Sequence, residues 1–143
     1  MTTSSPRAAF DTNIVLSAVI WEDSVPFQAL LTAKRLGRVL LSMDTESELQ
    51  DVFRRPKFNK YIPEDERLEF LETLIDDSEF IEITESVTGC RDLKDNKFLE
   101  LAVSGNASHI ISGDADLLVM NPFRGIAIVS PQEFLKSVEG TQP

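Results

Sequence analysis

Short apolar runs alternate along the chain with longer stretches in which apolar residues return every three or four positions. Arg7 to Phe10, Arg38 to Ser42, Phe80 to Ile83, His109 to Ser112 and Ile126 to Val129 each read as a short strand. The longer stretches carry the period of a helix with one buried face. Asn13 to Ile20 predicts a helix capped by Asp11, Thr12 or Asn13, and Val25 to Leu36 a second, stopped by Gly37. Asp44 to Arg55 predicts a third, with Leu49, Val52 and Phe53 on one face and Pro56 closing it. Pro63 opens a long fourth helix through about Asp77. Thr84 to Lys94 reads as a loop, and Asp95 to Ser104 as a helix ended by Gly105. A short helix follows Asp114. In the last helix Ser130 caps, Pro131 takes the first helical position and Glu133 completes a capping box.

Strands alternating with helices imply right-handed βαβ units and an α/β fold with a mainly parallel sheet of about five strands. The 143 residues suit a single domain with one real core. That domain is expected over residues 8–138, with frayed ends at 1–7 and 139–143. No repeat or low-complexity tract interrupts it.

In an open parallel sheet the ligand crevice lies beyond the carboxyl ends of the strands. Phe10 runs into Asp11-Thr12-Asn13, and Ser112 runs into Gly113-Asp114-Ala115-Asp116. Asp11, Asp114 and Asp116 therefore converge, with Asp95 from the start of its helix. Carboxylates about 4 Å apart repel by roughly 4 kcal/mol at an effective dielectric near 20. Such a cluster calls for a hard cation, and oxygen-only ligation selects Mg²⁺ or Mn²⁺. Simpler roles exist for each residue. Asp11, Asp95 and Asp114 also fit helix caps and Asx turns, and Glu48 fits a solvated helix face. Glu46 lies roughly 200° round the helix from Glu48, so the two cannot share one site equally. Glu48 is preferred because it adjoins Leu49 and edges the buried face. Asp95 is preferred over Asp92, which lies in the loop. Thr12 and Asn13 are expected to hold Asp11 by side-chain hydrogen bonds.

Composition removes several other chemistries. Cys90 is the only cysteine, which excludes an internal disulfide and fits a reducing cytoplasm. His109 is the only histidine, and it sits in a strand-like run where packing is its simplest role. The chain holds no Gly-x-Ser-x-Gly elbow, no zinc spacing and no phosphate loop. No apolar run approaches the roughly 20 residues of a membrane helix, so no membrane association is expected. The net charge of −10 argues against general nucleic-acid affinity. A polyanion must then use local basic groups. Arg54, Arg55, Lys57 and Lys60 form one set, Lys34, Arg35 and Arg38 another, and Arg91, Lys94 and Lys97 a third. Each set also fits a solvated helix face.

The motifs occur in an order that resembles a known family. Phe-Asp-Thr-Asn-Ile at 10–14 resembles the opening of a PIN-domain ribonuclease. Ser-Glu-Leu at 47–49, followed by Arg-Arg-Pro-Lys-Phe at 54–58, is similar to the second acidic helix of one PIN branch. Asp-Leu-Lys-Asp-Asn-Lys-Phe-Leu-Glu-Leu-Ala at 92–102 and Ile-Ile-Ser-Gly-Asp-Ala-Asp-Leu-Leu at 110–118 resemble its third and fourth acidic segments. Ile-Val-Ser-Pro-Gln-Glu-Phe-Leu at 128–135 resembles its closing strand and helix. The branch is that of VapC-like toxins of bacterial toxin–antitoxin systems. The resemblance implies a three-layer α/β/α fold and divalent-metal-dependent cleavage of RNA to 5′-phosphate and 3′-hydroxyl ends. It implies Asp11, Glu48, Asp95 and Asp114 as the four acidic site residues and Asp116 as a fifth. Ser112 stands where many members have Thr. It further implies a cognate antitoxin and a homodimer or higher homo-oligomer.

The expected chemistry is hydrolysis by a metal-activated water, with Glu48 binding a second ion or orienting that water. Arg54, Arg55, Lys57 and Lys60 are the expected RNA contacts. Two alternatives stand beside it. One is a non-catalytic PIN-like scaffold that binds a basic protein. The other is a receiver-like phospho-acceptor module, although no Lys directly follows the last strand.

Overall fold

The structure, a computed structural model, describes residues 5–139. Five strands form one parallel sheet: β1 (Arg7–Phe10), β2 (Arg38–Leu41), β3 (Glu79–Phe80), β4 (His109–Ile111) and β5 (Ala127–Val129). Their order across the sheet is β3-β2-β1-β4-β5, so β1 lies at the centre. There Ala8 pairs with Val39 on one side and with His109 on the other. The helices are α1 (Thr12–Ile20), α2 (Val25–Leu36), α3 (Met43–Phe53), α4 (Glu64–Asp77), α5 (Asn96–Ser104), α6 (Ala115–Leu118) and α7 (Pro131–Val138).

Both faces of the sheet are covered, so alternate strand residues enter different cores. Ala8, Phe10, Val39, Leu41 and Ile111 join α1, α2, α3, α4 and α7 in one core. Ala9, Leu40, Ile110 and Ile128 join α5 and α6 in the other. The result is the α/β fold anticipated from the alternation of elements, with helices in layers on both faces. No single described helix is long and apolar enough to cross a membrane.

Element ends shift for local reasons. Strand β3 stops at Phe80 rather than Ile83, because β2 ends at Leu41 and offers nothing further to pair with. The Ile81 N–H still donates to the Leu41 carbonyl at 2.7 Å. Helix α3 stops at Phe53 rather than Arg55, since the residue before a proline is driven out of the helical region. Arg55, before Pro56, is extended at φ −70° and ψ 125°. Helix α5 starts at Asn96, after a short 3₁₀ turn over Leu93–Asp95. The expected capping box at Ser130 and Glu133 forms, and a second joins Ser42 to Thr45.

Residues 1–4 and 140–143, most of the two expected frayed ends, lie outside the described residues. Arg7 is anchored rather than frayed. It begins β1, and its guanidinium makes two 3.0 Å contacts to the Glu79 carboxylate. Gly37 answers to a close approach nearby: a Cβ there would meet the Pro6 carbonyl oxygen at 1.8 Å.

Arg67 of α4 is fully buried without an acidic partner. It donates to the carbonyls of Phe53 at 2.9 Å, Ile62 at 2.7 Å and Arg55 at 3.2 Å, and to Asn59 Oδ1 at 2.9 Å. One guanidinium thereby satisfies carbonyls left open at the end of α3 and folds the segment 54–62 onto α4.

Candidate functional site

Strands β1 and β4 end side by side, so their following residues emerge at one edge of the sheet. The Asp11 N–H donates to the Ile111 carbonyl at 2.9 Å, and the Ser112 N–H to the Val129 carbonyl at 3.0 Å. Asp11 caps α1: its Oδ1 accepts the Asn13 N–H at 3.3 Å. Its Oδ2 accepts the buried Ser112 hydroxyl at 2.7 Å. The same hydroxyl accepts the Asp114 N–H at 2.9 Å. Asp114 in turn caps α6 through Oδ1, which accepts the Asp116 N–H at 2.8 Å. Ser112 thus ties the two strand-end acids together.

Asp95 precedes α5 yet makes no capping hydrogen bond. It is 8% exposed, and its Oδ2 is buried with no hydrogen-bond partner. Asp92, Asp95 and Asp114 each present a carboxylate oxygen within 4.8 Å of the others, the one such group among the described residues. Burial, first, and then hydrogen bonding and charge from Asp114, with the charges of Asp11 and Asp92, push the Asp95 carboxyl up to about 7. Burial also raises Asp11, opposed by the Ser112 and Asn13 hydrogen bonds and assisted by the charges of Asp114 and Glu48. A buried anionic oxygen without a donor is costly unless a cation meets it. The all-oxygen donor set suits a hard divalent ion. The residues present therefore fit Mg²⁺ or Mn²⁺.

The structure brings Asp92 into this group, contrary to the expectation of a loop residue outside it. The 3₁₀ turn places residues three apart on one side, which is why Asp92 and Asp95 both reach Asp114. Asp116 instead pairs with Arg91, its Oδ1 2.7 Å from the guanidinium. Thr12 does not hold Asp11; its hydroxyl donates to Glu48 Oε1. Asn13 is exposed and reaches Asp11 through its backbone N–H. The physical reason is helix capping, in which a carboxylate takes the first free backbone donors.

Glu48 lies on the face of α3 that borders a cleft of 550 Å³, where Asp44, Asp51, Glu100, Lys94 and Lys97 also sit. Its Oε2 is 3.2 Å from Lys97 Nζ. Glu46 and Arg54 line a different groove, between α3 and α4. Arg54 donates to the Gln50 carbonyl at 3.2 Å. Arg55 pairs with Asp51 at 2.9 Å. Lys57 and Lys60 lie over the rings of Phe58 and Tyr61, at 5.2 and 5.1 Å. His109 bridges Ser108 and Ser137 and meets Phe134 edge-on, away from the acids.

Comparison with known proteins agrees with this fold. Uncharacterized protein MJ1680 of Methanocaldococcus jannaschii is 28% identical over 145 residues, covering 93% of this chain and 92% of that protein. A chain in the crystal structure of VapBC2 from Rickettsia felis, bound to a DNA fragment from their promoter, shares the fold. It matches with a TM-score of 0.57 and 12% identity over 85% of this chain and 96% of its own length. A family model described as PIN domain matches residues 7–116, the stretch that carries Asp11, Glu48, Asp92, Asp95 and Asp114. The chain belongs to the PIN domain family.

Proposed function

We propose that this PIN domain is a divalent-metal-dependent endoribonuclease and the toxin of a toxin–antitoxin pair. The observation that carries the reading is the buried, unpartnered Asp95 Oδ2 within a trio of carboxylates at the strand ends. Asp92, Asp95 and Asp114 would hold the ion, with Asp11 beside them as a further carboxylate. In that position a divalent ion would supply an activated water and offset charge on the phosphate. Ser112 orients both Asp11 and Asp114 through one hydroxyl. Asp116 gives its Oδ1 to Arg91 and stands outside the trio. Lys94 and Lys97 line the cleft and supply the first phosphate contacts. Arg54, Arg55, Lys57 and Lys60 form a second basic stretch past the end of α3, for a longer substrate.

The toxin reading draws on the fold shared with a chain of VapBC2. On it, the partner is an antitoxin with a basic segment, suited to a chain of net charge −10. A homodimer and a cytoplasmic location go with this reading. PIN family membership displaces the receiver-like alternative. The test is cleavage of a single-stranded RNA with chelator, Mg²⁺ or Mn²⁺, beside Asp95→Asn and Asp114→Asn. Cleavage that needs the ion and both acids is expected. Wild-type protein that binds Mn²⁺ yet cuts no RNA would favour the partner-binding scaffold.

A further inference from the structure

Glu48 differs from the acids around it. Asp95 Oδ2 has no partner, whereas both Glu48 oxygens are engaged by the chain itself. Oε1 accepts the Thr12 hydroxyl. Oε2 faces Lys97 Nζ at 3.2 Å, in a pair whose side chains are only 30% and 18% exposed. Lys97 is further fixed, because its ammonium also donates to the Lys94 carbonyl. It sits two residues after Asp95, so the turn that places a metal-binding carboxylate also places the ammonium. An ion on Glu48 Oε2 would have to compete with Lys97 for that oxygen. The ammonium and an incoming ion would then compete within the same acid-lined cleft, and like charges at short range repel.

We infer that Lys97 is a cation built into the site: it neutralises Glu48 in the place a second metal ion would need, so the centre takes one divalent ion. The inference rests on the metal-dependent ribonuclease reading and assigns Glu48 a positioning role within it. A phosphate oxygen can take the ammonium from Glu48, since a lysine stem is flexible and its charge is compact. Thr12 keeps hold of Glu48 when that happens. The site then meets RNA with one metal ion and one ammonium.

The experiment counts Mn²⁺ bound to the full chain, by titration calorimetry and by the paramagnetic resonance signal of free Mn²⁺. Wild type is expected to bind one ion per chain. Glu48→Gln should still bind one, with Kd within about threefold, less than the 10–100-fold seen even for outer-shell losses at metal sites. Lys97→Met frees Glu48 and should admit a second ion, which disappears when Glu48→Gln is added. Lys97→Arg keeps the charge and should stay at one. Two ions in wild type with one lost in Glu48→Gln would overturn the inference, as would a Lys97→Met protein that still binds one. Should Lys97→Met fail to fold, the Glu48→Gln count decides alone. No Mn²⁺ binding by wild type overturns the underlying metal reading instead, so the two failures are distinct.

Discussion

Asp95→Asn isolates the least compensated charge in the site. The substitution keeps shape and removes one negative charge from a buried position beside Asp92 and Asp114. A carboxyl displaced from 3.8 to about 7 carries a ceiling of about 4 kcal/mol against its ionised form, at about 1.4 kcal/mol per pH unit. The sign follows from proton linkage. The folded protein holds this proton more tightly than the unfolded chain, so metal-free stability from this group is full below about pH 4. It falls as pH rises towards about 7 and is flat above. Urea unfolding of chelator-treated protein at pH 5, 6, 7 and 8 reads this directly. Wild type should lose up to about 3 kcal/mol between pH 5 and 8, and Asp95→Asn should lose much less. At pH 8 without metal the variant should be the more stable protein. Mn²⁺ at 100 times its Kd should then stabilise wild type by about 2.7 kcal/mol and leave the variant almost unchanged. A variant less stable than wild type in chelator at pH 8, or one with the same pH slope, would refute the account of a strained buried charge.

Three further outcomes follow from the geometry. Arg67→Met should destabilise by about 3 kcal/mol or more in urea unfolding, because four acceptors lose a buried charged donor; a change below about 1 kcal/mol would show that water replaces it. Glu48→Gln should lower RNA turnover at least about tenfold while Glu46→Gln leaves it unchanged, since the two lie on different faces of α3; equal losses would place both at the site. With catalytically dead Asp114→Asn protein at fixed Mg²⁺, the salt dependence of RNA binding should flatten by about 1.4 in log–log slope when Lys94→Ala and Lys97→Ala are combined, at about 0.7 per contact. Flattening by Arg54→Ala with Arg55→Ala instead would route the RNA past the end of α3.

What the sequence discloses depends on how far apart the deciding partners lie. Asp11 and Asp114 are legible because each directly follows a buried strand, so one local junction fixes both element and acid. The capping box at Ser130 and Glu133 is legible for the same reason. Asp92 was not, since its place in the group depends on a 3₁₀ turn that apolar periodicity does not register. Arg67 was not, because a helical arginine ordinarily lies at the surface. Its burial is matched by the carbonyls of Phe53 and Arg55, freed where α3 stops, and by that of Ile62 just before α4. Strand β3 was overlong in sequence terms because its length is set by β2, not by its own alternation.

Cap and ligand, weighed as rivals for each acid, turn out to be compatible at two positions and separate at a third. Asp11 and Asp114 both cap helices, and capping is what aims them at one another. Backbone N–H groups and the Ser112 hydroxyl offset part of their charge, and the positive end of α1 adds to this for Asp11. A protein can therefore keep these two acids close without an ion. Asp95 has no such support: it caps nothing, its Oδ2 meets no donor, and its neighbours are anionic. The instability of the cluster is concentrated on that residue, and so is its demand for a cation. On the proposed metal-dependent reading, a proton and the ion compete for the same carboxylate. Apparent Mn²⁺ affinity should accordingly rise with pH up to about 7 and level off above it, in wild type but not in Asp95→Asn. Affinity that is flat across pH 5 to 8 in wild type would mean that the ion does not bind through Asp95.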